Sequence, residues 1–156
     1  MTATSSRTVK VKAEPLTAEA YAPFGEIVDV GRTRLHCGEG QYTARLMTLE
    51  PAPTRVKHIN RHPDHVQLFV PLDHAPMLLV VAPAHVPGDA FDPESVRAFV
   101  NDGSKAFTFG LNVWHIAPRG LADGARVINV QGSRYQELTE LIDFEQLTGA
   151  VVEIER

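Results

Sequence analysis

The chain has 156 residues, nineteen acidic against fifteen basic side chains, a formal charge of −4 and one cysteine. That length suits one domain able to bury roughly 70% of its unfolded surface, and Cys37 alone can form no internal disulfide. Scattered arginines, no apolar run near the ~20 residues that cross a bilayer and no apparent signal peptide lead us to expect a cytoplasmic protein that binds neither nucleic acid nor membrane.

Residues 1–8 read as a loose terminus, because the small polar residues up to Ser6 have nothing to bury, and residues 9–156 read as a single domain. Val9 and Val11 alternate with Lys10 and Lys12, as in a strand with one wet face, and Thr17 caps a short helix over residues 18–21. Pro23 and Gly25 end that helix. Further strands are expected over 26–30, 41–49, 55–60, 66–70, 77–82, 105–109, 113–117, 125–130 and 150–154, with turn signals such as Pro71-Leu72-Asp73 and Pro87-Gly88 between them. Asp92 followed by Pro93 predicts a helix running to Val100, stopped by Gly103. A second helix is expected over 136–146 from the spacing of Leu138, Leu141, Ile142 and Glu145. Short strands so closely spaced indicate a mainly β fold, an antiparallel barrel or sandwich with one or two short helices.

Four of the seven histidines fall between His58 and His74. In an extended His58-Ile59-Asn60-Arg61-His62, the side chains of His58, Asn60 and His62 share one face, opposite Ile59 and Arg61. Gln67 opens an otherwise apolar strand, and His115 sits inside Val113-Trp114-His115-Ile116. Polar groups in such places need partners, and the simplest supply is one another across a shared interior. His65, His74 and His85 lack supporting spacing and read as surface residues, Cys37 as inert, and Trp114 and Phe109 as core.

The order of these residues resembles the paired motifs of cupins, with Asn60 in the first histidine position, His62 in the second, Gln67 in the glutamate position and His115 as the later histidine. The resemblance implies an antiparallel cupin barrel, the double-stranded β-helix or jelly roll. It places Asn112 where cupins favour glycine, in a left-handed turn that Asn tolerates. Neutral Asn60 and Gln67 make poor ligands, so His62, Gln67 and His115 are expected to form at best a weak divalent metal site, and no cofactor is firmly implied.

A closer resemblance joins Arg61-His62-Pro63, Gln67, Phe69 to Asp73, Val80 to Pro83, Arg97-Ala98-Phe99 and Asn112-Val113-Trp114-His115, preceded by Glu14-Pro15-Leu16-Thr17 and Ala22-Pro23-Phe24-Gly25. It is a resemblance to the ureidoglycolate lyase family. It implies a homodimeric lyase that splits ureidoglycolate, a small carboxylate, into glyoxylate and urea in purine or allantoin breakdown. The catalytic residues implied are His62, Gln67 and His115, with Asn60 and His58 beside the substrate. The family's cationic segment is poorly matched by residues 36–45, so the carboxylate clamp is expected instead from Arg45, Lys57 or Arg61, arginine being preferred for its two parallel donors. Asn60 stands where the family usually has Glu, Ile116 where it often has His, and Asn129-Val130 where it has an Asp-Arg pair. Two alternatives therefore stay open: a non-catalytic cupin that binds a small organic acid, and a metal-dependent cupin isomerase or oxygenase.

Overall fold

A computed structural model describes residues 5–28 and 31–156. The chain runs through β1 (Arg7–Lys12), β2 (Glu14–Pro15), α1 (Ala18–Tyr21), β3 (Ile27–Val28), β4 (Tyr42–Thr48), β5 (Arg55–Val56), β6 (His58–Arg61), β7 (Gln67–Leu72) and β8 (Met77–Ala82). It continues through a 3₁₀ turn (Pro93–Ser95), β9 (Arg97–Asn101), β10 (Ala106–Phe109), β11 (Trp114–His115), β12 (Arg119–Gly120) and β13 (Arg126–Gly132). The last elements are α2 (Tyr135–Leu138), β14 (Glu140–Asp143), α3 (Phe144–Thr148) and β15 (Ala150–Glu155). Among the described residues no helix is long and apolar enough to cross a membrane.

The strands form three hydrogen-bonded sheets among the described residues, in the orders β1-β15-β5, β3-β10-β7-β13-β4 and β14-β6-β11-β8-β9-β2, with β12 also on β8. The fold is mainly β, as expected, and of the jelly-roll kind. The expected barrel is not closed: hydrogen bonding among the described residues leaves separate sheets that pack face to face. The reason lies in β8, which is buried along its whole length. Its alternate residues Leu78, Val80 and Ala82 enter one core with Val9, Val152, Ile154 and Trp114, while Met77, Leu79 and Val81 enter another with Phe69, Phe99, Phe107 and Val127. A strand buried on both faces needs a layer on each side.

Three expectations are corrected and a fourth is described only in part. The first strand begins at Arg7 rather than near Val9, because Arg7 and Thr8 pair in register with Ala150 and Val151; residues 1–4 of the expected loose terminus lie outside the described residues. The expected strand over 26–30 is described only at Ile27–Val28, since residues 29 and 30 lie outside the described set. The helix expected from Asp92 to Val100 is only a 3₁₀ turn, capped as foreseen by Asp92. Beyond it the chain is β9, whose Ala98 and Phe99 point into opposite cores, a period-two burial that overrides the capping signal. The helix expected over 136–146 is split by β14, which pairs along β6 and leaves α2 and α3 at either end.

Where α1 turns back onto β10, the Tyr21 hydroxyl donates to the Thr108 carbonyl at 2.8 Å and Glu26 N–H donates to Thr108 Oγ1 at 2.9 Å. Gly25 lies so close to β10 that an added Cβ would sit 2.0 Å from the Thr108 carbonyl oxygen. Backbone cannot swing aside as a side-chain tip can. Gly25→Ala is therefore expected to lower stability by about 1–3 kcal/mol in urea unfolding, and a midpoint equal to that of the parent would refute this packing.

Candidate active site

Strand alternation aims the site. Ile59 on β6 and Trp114 on β11 go into the core shared with the three-stranded sheet, so Asn60 and His115, which are register partners, turn the other way toward the five-stranded sheet. On that facing sheet, Gln67 and Phe69 of β7, Asn129 of β13 and Arg45 and Met47 of β4 point back. Between them lies a cavity of about 270 Å³ that is also lined by His62, Gln131, Tyr135, Thr139 and Leu141.

His62, just past the end of β6, is 7% exposed, and His115 is 3% exposed. Their ring centroids are 4.9 Å apart. The Thr139 hydroxyl donates its proton to the Tyr135 carbonyl, so Thr139 Oγ1 accepts at 2.9 Å from His62 Nδ1–H. His115 Nδ1–H donates to the Val113 carbonyl at 2.9 Å, and its ring stacks on Phe109 with centroids 4.2 Å apart. Each ring thus keeps a lone pair on Nε2. Asn112 adopts the foreseen left-handed conformation, with φ of 60°, and its N–H donates to the His62 carbonyl at 3.0 Å.

Gln67 is fixed by its neighbours. Its amide nitrogen donates to Asn129 Oδ1 at 3.0 Å and to Gln131 Oε1 at 2.8 Å, which uses both hydrogens. Its own Oε1 is buried without a well-formed partner. A buried acceptor of this kind suits a ligand donor.

His62, Gln67, His115 and Asn60 therefore come together, and the other expected site residues divide. Arg45 lines the cavity and is exposed, its guanidinium lies 3.3 Å from the Met47 sulfur, and it forms no ion pair among the described residues. His58 shares the face of Asn60 but sits at the exposed end of β6, 3.2 Å from Asp143 and outside the cavity. Lys57 is also outside, 3.7 Å from Glu145. Arg61 points to the opposite side, where it stacks 4.2 Å above Trp114, bonds Glu140 at 2.7 Å and reaches the Ala84 and Val86 carbonyls. Alternation within β6 explains why Arg61 cannot face the cavity.

His65 is corrected most sharply. It is 1% exposed rather than a surface residue, stacked on His62 with centroids 4.6 Å apart and bonded through Nδ1 to Asp64 at 2.8 Å. The signal available was Gly132, whose missing side chain admits the ring: a Cβ there would lie 2.7 Å from His65 Nδ1. Asn129 and Gln131 were missed as partners of Gln67, although Val127, Asn129 and Gln131 alternate on one face of β13. Thr139 carries no sequence signal, since its role depends on β14 pairing with β6.

The model of the family described as ureidoglycolate lyase matches residues 31–148. Ureidoglycolate lyase of Azotobacter vinelandii is 34% identical over 131 residues, covering 70% of this chain and 77% of the relative. That of Pseudomonas aeruginosa strain LESB58 is 34% identical over 130 residues, covering 70% and 74%. A third, from Stutzerimonas stutzeri, is 33% identical over 123 residues, covering 65% and 71%. The chain belongs to the ureidoglycolate lyase family. Membership does not favour a non-catalytic acid-binding cupin or a metal-dependent isomerase or oxygenase.

In this member of the ureidoglycolate lyase family the donors present suit a divalent metal poorly. Two imidazoles and a neutral amide face the cavity and no carboxylate lines it among the described residues, so the donor set lacks the anionic ligands that a divalent ion favours. Burial, then the neighbouring His65, lowers the pKa of His62 to about 4 against weaker opposing pulls from Gln67 and Asp64. Burial, then His62, lowers that of His115 to about 3. Both rings are neutral at neutral pH.

The unfolded chain, with its histidines near 6.5, binds more protons than the fold at any pH between that value and the depressed ones. Stability from the neutral rings is complete above 6.5 and is lost as pH falls toward about 4 for His62 and about 3 for His115. Urea unfolding between neutral pH and that region is expected to lose on the order of 1.4 kcal/mol per pH unit for each ring. His115→Gln should give a shallower slope; an unchanged slope would contradict the burial argument.

Proposed function

We propose that the chain cleaves ureidoglycolate to glyoxylate and urea, with His62 as the proton carrier and Arg45 holding the substrate carboxylate. The observation that carries this reading is the pair of neutral imidazoles, each tied through Nδ1, beside a cation at the cavity rim. The reaction is collapse of a carbinol amine. His62 Nε2 takes the hydroxyl proton, the oxygen electron pair closes to the aldehyde of glyoxylate, and the C–N bond electrons leave with the urea nitrogen. The proton then passes from the His62 ring to that nitrogen, so nothing is oxidised and no water enters.

His62 is assigned the transfer rather than His115 because it is the less buried of the two rings. His115, held on Phe109, bounds the site and keeps a lone pair for the substrate. Gln67 Oε1 accepts an N–H from the ureido group, with its orientation set by Asn129 and Gln131. Asn60 flanks the substrate. A divalent ion on His62, Gln67 and His115 would at most be weakly held and is given no step.

The same reading places the protein in the cytoplasm, in purine or allantoin breakdown, as a homodimer. Support for the dimer comes from the outer face of the five-stranded sheet, where Leu46 and Ile128 are register partners, exposed by 60% and 37%, beside Leu68 and Val70. An apolar strip there suits a second copy.

Purified protein given ureidoglycolate should release urea and glyoxylate in equal amounts, and should continue after dialysis against EDTA. His62→Ala should lower kcat by about 10²–10⁴-fold, and Arg45→Met should raise KM by about tenfold, a loss of roughly 1.4 kcal/mol. No product above the buffer rate would defeat the assignment. Sedimentation should show a dimer that Leu46→Asp converts to monomer; a parent that sediments as a monomer would remove the dimer.

A further inference from the structure

A second recess, of about 440 Å³, opens beside the cavity and shares Asn60, Ala117 and Leu141 with it. Its walls carry Arg55, Lys57, His58 and Arg119, and among the described residues no carboxylate lines it. In a chain of net charge −4, such a gathering of cations around one hollow is a local reversal of sign.

Lys57 and His58 have acidic neighbours outside the recess, in Glu145 and Asp143. Arg55 stands opposite Glu153 in strand register, with no ion pair between them among the described residues. Arg119 differs from all three. Its backbone is fixed on β8 opposite Leu78, its side chain is half-buried, and its Nε is sealed from solvent without a hydrogen-bond partner. A guanidinium N–H buried in this way carries a desolvation cost that an anionic oxygen would offset.

We propose that this recess is a second binding site for a small carboxylate anion, held by Arg119 with Arg55, from which the anion passes beneath Leu141 into the neighbouring cavity. The planar fork of Arg119 matches a carboxylate, and Pro53, Val56 and Ile116 supply the apolar walls that suit a small organic acid better than phosphate. Use of the site to capture substrate rests on the proposed lyase reaction; binding of the anion does not.

Binding is tested first in Arg45→Met, which removes the cation of the main cavity. Titrating oxalate while following arginine Nε–H resonances should move the Arg119 signal saturably. Adding Arg119→Met should weaken oxalate binding about tenfold, whereas Arg119→Lys should weaken it less, and urea unfolding would confirm that each variant is folded. An unmoved Arg119 signal, or equal oxalate affinity with and without Arg119, overturns the site. Inorganic phosphate binding as tightly as oxalate overturns the carboxylate assignment. Capture is tested by turnover of ureidoglycolate: Arg119→Met alone should lower kcat/KM about tenfold at low salt with kcat unchanged, and the deficit should shrink as salt is added. A kcat/KM equal to that of the parent at low salt overturns capture while leaving the binding result intact.

Discussion

Two buried imidazoles with centroids 4.9 Å apart repel each other when both are charged, and much of the surrounding structure follows from keeping them neutral. Each Nδ1–H needs an acceptor that does not itself bring charge. Thr139 and the Val113 carbonyl meet that need. A carboxylate in either place would pull the ring toward protonation and set like charges against each other. Asp64 is bonded to His65, which stands behind His62 and away from the cavity lining.

Neutral rings demand neutral partners, and the facing sheet supplies amides. Gln67, Asn129 and Gln131 lie on adjacent antiparallel strands, so the two β13 amides present their oxygens to the Gln67 nitrogen. Amide oxygen and nitrogen are then assigned by the network rather than free to flip. The result is one fixed acceptor, Gln67 Oε1. This arrangement depends on β11, because a strand buried on both faces lets Trp114 anchor one core while its neighbour His115 enters the cavity on the other side.

The parts legible in the sequence are those set by local alternation. Val9 to Lys12, the run 77–82 and the pairing of Asn60 with His62 all follow period two, and the helix after Thr17 follows from a cap whose Oγ1 accepts from Ala20 N–H. What could not be read depends on distant partners. Residues 97–100 have a helix cap before them, but their neighbours on β8 and β2 make them a strand. Residues 140–143 have helical spacing until β6 takes them. His65 looks exposed beside Pro63 and Asp64, and only Gly132, far along the chain, makes room for it. Arg45, Lys57 and Arg61 each offer a cation, and the sheet geometry puts only Arg45 of the three at the cavity.

A carboxylate substrate brings one negative charge, and the cavity meets it with one positive charge. Asn60, Gln67, Asn129 and Gln131 are uncharged, both rings are neutral at neutral pH, and Arg45 sits exposed at the rim. Glutamate in place of Asn60 would put an anion beside the substrate carboxylate and would need a further cation to balance it. With Asn60 that demand is absent. The lack of a carboxylate and the lack of a second cation in the lining are therefore consistent with each other, and the cavity's residues form one electrostatic solution for a singly charged substrate.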